Sequence, residues 1–324
     1  MNPIASAVAP ARRLRILTWH VHGNYLHALG HVPHDFVVPG LPGDPAGYGA
    51  LGPRIPWGDN LTQLPAGELR AQRFDCVLYQ SRQNLEDARL LLSDAQRALP
   101  CAYLEHNPPA PHPTDTVHPF RHDRGVLVHV TPFNAEMWDN GGMPVRVVEH
   151  GVPPPGVAYD GSLARGIVVV NHLARRGRRI GLDLFERMRA RTPLDLIGME
   201  SETLGGLGEV PNMEVAACLA RYRYFFSPVR YASLGLSLVE AMLCGVPVVG
   251  FGTTELPALI VNGENGFVDT RIERLAQVAR QLLAEPDLAR AWGAAGRETA
   301  LRRFGMDRFV ADWLSVFEQL TEAA

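Results

Sequence analysis

Short apolar runs ending in polar loops recur through the first half of the chain, at 15–19, 35–38, 76–79, 101–104, 126–130 and 145–148. Runs of this length, bounded by turn residues, predict buried strands. Apolar residues recur at helical spacing between several of them, most clearly over 84–99, where Leu85, Ala88, Leu91, Leu92 and Ala95 share one face. Strands alternating with helices predict a parallel sheet. The segment 40–65 is rich in Gly and Pro and follows neither period. It reads as a long irregular connection near the mouth of the sheet, where loops touch ligands.

The stretch 151–156 holds Pro153, Pro154 and Pro155, which suits a stiff hinge better than the inside of a packed unit. Beyond it the pattern restarts: strands at 167–170, 195–198, 224–227 and 246–250, helices at 182–191 and 234–243, and further helices through 319. With 324 residues, about twice the usual domain length, the chain divides into an N-terminal Rossmann-like domain, 1–155, and a C-terminal one, 156–324. Two such α/β domains facing each other make a cleft at their strand ends, so a ligand between them is expected.

Composition removes several chemistries. The chain has 31 Arg and no Lys. A Schiff-base enzyme needs an amine nucleophile and a P-loop needs its Lys, and Arg replaces neither. Residues 1–155 carry 12 Arg against 14 acids and residues 156–324 carry 19 against 20, so no basic arm or face points to nucleic acid. The one dense basic cluster, Arg175, Arg176, Arg178 and Arg179, suits a small anion. Cys76, Cys101, Cys218 and Cys244 are scattered in apolar runs without a CxxC pair, as free thiols in a reducing cytoplasm are. Arg12 and Arg13 follow an apolar stretch rather than precede it, and no window reaches the roughly 18 apolar residues of a membrane span, so neither export nor a transmembrane helix is expected.

The run 224–250, YFFSPVRYASLGLSLVEAMLCGVPVVG, carries the most information. It reads as strand, turn, helix and strand. Ser233 stands where an N-cap belongs, and Gly245 followed by Pro247 supplies the stop. The amides of Leu234, Gly235 and Leu236 are then open to an anion, and Gly235 permits close approach of a phosphate. Glu240 is the only charge on an otherwise apolar helix. Its carboxylate needs donors, and either ribose hydroxyls or Arg230 would supply them.

This run resembles the nucleotide-sugar site of retaining glycosyltransferases of family 4, which usually read P-S-x-x-E-G-F-G-L and then x-x-x-E-A-M-A-x-G-x-P-V-V. Pro228, Arg230, Tyr231, Gly235, Leu236, Glu240, Ala241, Met242, Gly245 and Pro247 keep that register. The similarity continues through 253–257, 262–267 and the closing helix from Arg303 to Trp313. The resemblance implies a GT-B fold with a final helix near 312–320 that crosses back to the first domain, and a Glu240 that binds the ribose of the nucleotide. The first Glu of the family pattern, which holds hydroxyls of the donor sugar, is replaced here by Ala232.

The same resemblance assigns roles elsewhere. After the strand at 167–170 comes NHLARRGRRIGLD, where the family grips the donor pyrophosphate with Arg and Lys. His172 falls on the Arg position and Arg178 lies nearest the Lys position, with Arg176 and Arg179 beside it. Arg forks bind phosphate oxygens at a helix start. His106, after the strand at 101–104 and beside Glu105, occupies the place of a family His near the reacting sugar. Gly23 sits where a Gly-rich turn passes under the donor phosphates.

Eleven of the twelve His precede residue 151, yet their spacings match no usual zinc pattern. The chain also lacks the Asp-x-Asp triplet with which GT-A transferases hold a cation. The expected activity is metal-independent transfer of a sugar, with retention, from a nucleotide-diphosphate donor to a hydroxyl of a glycan or lipid-linked acceptor, as in polysaccharide biosynthesis, with no further cofactor. Net negative charge gives no electrostatic support for docking on anionic lipid, although an apolar patch would allow peripheral membrane contact. Two alternatives stand beside this: a sugar-nucleotide epimerase of the same fold, and a catalytically silent nucleotide-sugar binder, suggested by Ala232 and His172.

Overall fold

A computed structural model describes residue 10 and residues 12–53 and 55–322. Most of the stretch ahead of Arg12, read above for an export signal, lies outside the described residues. The chain forms two compact units, Met1–Gly151 with Met306–Ala324, and Val152–Gly305.

In unit 1 the apolar runs become β1 (Arg15–Thr18), β2 (Asp35–Gly40), β3 (Leu61–Pro65), β4 (Cys76–Tyr79), β5 (Cys101–Glu105), β6 (Gly125–His129) and β7 (Val145–Val147), with α1 (Gly23–Leu29), α2 (Arg82–Leu91), α3 (Asp94–Arg97) and α4 (Pro132–Met137) between them. All pairings are parallel, in the order β3-β2-β1-β4-β5-β6-β7. β1, β4, β5 and β6 are almost wholly buried, which is why they read as continuous apolar runs. The expectation that 40–65 lacks regular structure is corrected at its end: β3 is an edge strand, half-exposed and pinned by its ladder to β2. The single helix expected over 84–99 is two, because Ser93 makes a capping box with Gln96 and restarts the chain. Ser93→Ala is expected to lower the stability of unit 1 by about 1 kcal/mol, seen as an earlier midpoint in urea unfolding.

The C-terminal helix Met306–Glu322 belongs to unit 1 and buries Phe309, Trp313 and Phe317 in the cluster that holds Tyr25 and Phe36. Trp313 Nε1 donates to Tyr25 Oη at 3.1 Å, so a buried indole is satisfied as well as packed.

Unit 2 comprises β8 (Leu163–Val169), α5 (Leu173–Ile180), α6 (Leu182–Arg189), β9 (Leu194–Ile197), α7 (Asn212–Ala220), β10 (Tyr222–Ser227), α8 (Leu236–Cys244), β11 (Val248–Phe251), α9 (Leu256–Leu259), β12 (Gly266–Asp269), α10 (Ile272–Ala284) and α11 (Pro286–Phe304). Its sheet is parallel in the order β12-β11-β10-β8-β9. Both units are therefore doubly wound. Each has a point where strand order reverses, between β1 and β4 in the first and between β8 and β10 in the second. Ligands of such sheets bind at the carboxyl ends of these strands. Among the described residues no helix is long and apolar enough to cross a membrane.

Candidate functional site

In unit 2 the loops leaving β8 and β10 meet at the reversal point. Ser237 Oγ, in the first turn of α8, lies 3.5 Å from Val169 O at the end of β8. Helix α8 starts later than expected: Gly235, in extended backbone, is its N-cap, and no side chain caps it, so Ser233 does not. The loop is held out of helical register because the amides of Arg230 and Tyr231 donate to Arg179 O at 3.2 and 3.1 Å. Helical bonding begins only with Leu238 N to Gly235 O, 3.1 Å. The amides left without a helical carbonyl are thus those of Leu236 and Ser237, and Leu234 lies before the helix. A Cβ on Gly235 would meet nothing closer than Ser237 Oγ at 3.8 Å, so the space over this helix end is open.

Glu240 lies one turn further along α8. The ion pair weighed for it with Arg230 does not form, since Arg230 Nη1 and Nη2 lie 2.5 and 2.7 Å from Oδ1 and Oδ2 of Asp183. Among the described residues nothing donates to the Glu240 carboxylate, and burial alone pushes its pKa up to about 7. Water has been largely removed and no protein donor has replaced it, which leaves the carboxylate available to donors from a ligand.

The arginine segment divides at Gly177, whose φ of 57° and ψ of −142° break α5 into two turns. The second turn is tied down. Arg178 Nη1 donates to Asp183 Oδ2 at 2.9 Å, and Arg179 Nε donates to Tyr231 O at 3.1 Å while its guanidinium lies over the Tyr231 ring. Asp183, held below the usual carboxylate range by Arg230 first and Arg178 as well, joins both loops. The first turn carries Arg175 and Arg176, and no ion pair among the described residues engages either. Partial desolvation, Arg179 and Arg175 lower the pKa of Arg176. His172, in left-handed backbone ahead of this turn, has Nδ1 3.1 Å from Glu200 Oε2. Asp183 escaped the sequence reading, and its only signal was an acid in the first turn of the helix after Gly181.

Unit 1 gathers histidines at its own reversal point. Gln80, after β4, donates through Nε2 to Trp19 O at 2.8 Å and to Thr18 Oγ1 at 2.9 Å. Its Oε1 then faces His106 Nε2 at 3.2 Å, which assigns the proton to Nε2 and leaves Nδ1 an acceptor. The rings of His22 and Tyr25 meet that of His106 edge-on at 4.5 and 5.1 Å. Burial, then His22 and His150, lower the His106 pKa far below the usual value, so the ring is neutral. Gly23 opens α1 beside His20 and Ile55, 3.3 and 3.2 Å from where its Cβ would stand. Glu105 does not pair with its neighbour His106. As alternate strand residues do, it faces the other side, with Oε2 3.2 Å from His118 Nε2. Among the described residues no three His, Cys, Asp or Glu side chains are placed to hold a metal ion.

Residues 201–299 match the family model described as glycosyl transferases group 1. That stretch lies within unit 2. A 120-residue stretch is 28% identical to alpha-maltose-1-phosphate synthase of Mycolicibacterium smegmatis, covering 35% of this chain and 31% of that protein's own length. The chain thus spans less than a third of this curated relative. Among solved structures, sucrose-phosphate synthase from Thermosynechococcus elongatus superposes with a TM-score of 0.73 at 16% identity, covering 97% of this chain and 100% of that one. HepE from Anabaena, solved in complex with UDP, gives 0.65 at 13% identity, covering 95% and 100%. The fold is GT-B.

Proposed function

We propose that the chain is a cytoplasmic, metal-independent glycosyltransferase that moves a sugar from a nucleotide-diphosphate donor to a hydroxyl of a glycan or lipid-linked acceptor, with retention. The observation that carries this reading is the Glu240 carboxylate, desolvated and without a donor, beside an uncapped helix start in the stretch that matches group 1, with two arginines free of ion pairs on the segment that follows β8. Ribose hydroxyls donate to Glu240. The diphosphate lies against the amides of Leu236 and Ser237, with Arg176, Arg178 and Arg179 on its other side and His172 at the edge. Charge grows on the leaving diphosphate as the sugar bond breaks, and these fixed donors stabilise it where it appears. No protein nucleophile is assigned. In unit 1, the neutral His106 accepts a sugar hydroxyl through Nδ1, with its tautomer held by Gln80.

The ionisation of Glu240 supplies a direct test. Its carboxyl has a pKa of about 7 in the free protein, and hydrogen bonds from ribose favour the charged form. Binding at pH 6.5 should therefore release a proton, and affinity should rise with pH and level off above 7. A nucleotide sugar is the right probe because its phosphodiester does not titrate there. Calorimetry of UDP-glucose and GDP-mannose in buffers of different ionisation enthalpy would read the proton directly. Affinity that is equal at pH 5.5 and pH 8 would remove Glu240 from the site.

A further inference from the structure

Unit 2 has a concavity away from the reversal point, at the β12 edge of the sheet, three strands from β8. Its volume is about 260 Å³, smaller than the usual ligand pocket and suited to a single sugar ring. Three residues of one α10 face, Arg274, Gln277 and Gln281, line it together with Asn262, Phe267 and Trp292. Asn262 is fixed, since Nδ2 donates to Val268 O at 2.9 Å and Oδ1 accepts from Val268 N at 2.7 Å. The other polar groups are not. Among the described residues no hydrogen bond engages the Gln277 or Gln281 amide, the Trp292 indole N–H or the Arg274 guanidinium.

These groups have a common chemistry. The half-buried Phe267 ring, with the edge of the largely buried Trp292, offers apolar surface to the C–H face of a pyranose. Two amides spaced four residues apart on one helix face offer both donors and acceptors, which match hydroxyls that also do both. Arg274 is the single charged residue in a lining that is otherwise neutral. We propose that this cavity binds a neutral sugar unit of a glycan, at a second site separate from the donor site on α8 and independent of it.

The test titrates the full chain with glucose, mannose, N-acetylglucosamine and maltose, read by saturation-transfer NMR. At least one is expected to bind, and Gln277→Ala and Gln281→Ala, both at exposed helix positions, are each expected to weaken it tenfold or more while leaving UDP affinity unchanged. Glu240→Gln should do the reverse. If none of the four sugars binds, or if the bound sugar is indifferent to both Gln variants, the proposal fails. Inorganic phosphate that binds in their place and depends on Arg274 would make the cavity an anion site and overturn it equally. UDP binding that still depends on Glu240 in those cases would leave the donor site standing without the second one.

Discussion

Arg176→Ala is expected to lower turnover of a nucleotide-sugar donor by about 10²-fold to 10³-fold, the cost of losing one well-placed donor at comparable oxyanion sites. Affinity for the nucleoside diphosphate should fall less, and affinity for the bare nucleoside should not change. The ordering follows from where charge sits. A guanidinium against the pyrophosphate contributes nothing to nucleoside binding, something to the ground-state diphosphate, and most when the leaving oxygen becomes anionic. Arg176 is favoured over its neighbours because of what each already holds. Arg178 is bonded to Asp183 and Arg179 to the Tyr231 carbonyl, so either must weaken an existing contact to serve a ligand. Arg176 stands in the turn ahead of Gly177 without an ion-pair partner, and partial desolvation, with Arg179 and Arg175 adding to it, lowers its pKa, a cost that a dianion offsets when it arrives. Arg178→Ala should show the smaller effect, in part through the freed Asp183. If Ala at 176, 178 and 179 each leaves diphosphate affinity and turnover at the parental level, the segment is a solvated basic surface and the phosphate site is misassigned.

The ranking among these arginines shows what the sequence carries and what it withholds. Buried parallel strands are apolar on both faces, so β4 was legible to the residue and its neighbours within one or two positions. β3 and β12 were not, because an edge strand is specified by the ladder it joins rather than by its own pattern. The site followed the same division. Glu240 stood out as a lone charge on an apolar helix, a property of the sequence itself. Its independence from Arg230 depended on a long-range contact, since Asp183 is 47 residues from Arg230 and captures it with both carboxylate oxygens. The late start of α8 was hidden for a similar reason. Ser233 has the chemistry of a cap, yet Arg179 O draws the amides of Arg230 and Tyr231 and moves the first helical turn past it. The pairing of Glu105 with His118 rather than His106 was fixed by strand alternation, which a strand ending one residue earlier had concealed.

Glu240→Gln separates function from stability with opposite signs. In the free protein the folded pKa of about 7 lies above the ordinary carboxylate value, so the folded state binds the proton more tightly than the unfolded chain does. Below the unfolded pKa both states are neutral and the group costs nothing. As pH rises through the folded pKa the native protein must ionise a desolvated carboxylate, and stability falls by an amount on the order of 2 kcal/mol once partial exposure is allowed for. A neutral amide avoids that cost. The variant is therefore expected to match the parent in thermal unfolding near pH 4.5 and to melt higher at pH 8, with the gap opening between those values. Nucleotide binding should move the other way. The amide cannot offer the charge-assisted hydrogen bonds of a carboxylate, worth about 1.5–3 kcal/mol, so affinity for UDP should fall by roughly 10-fold to 150-fold at pH 8. A stabilised protein that binds its nucleotide poorly is the signature of a charge retained for a ligand. A Gln variant that loses stability at pH 8 while binding UDP like the parent would instead make Glu240 a structural residue with a protein partner, and the ribose assignment would fall with it.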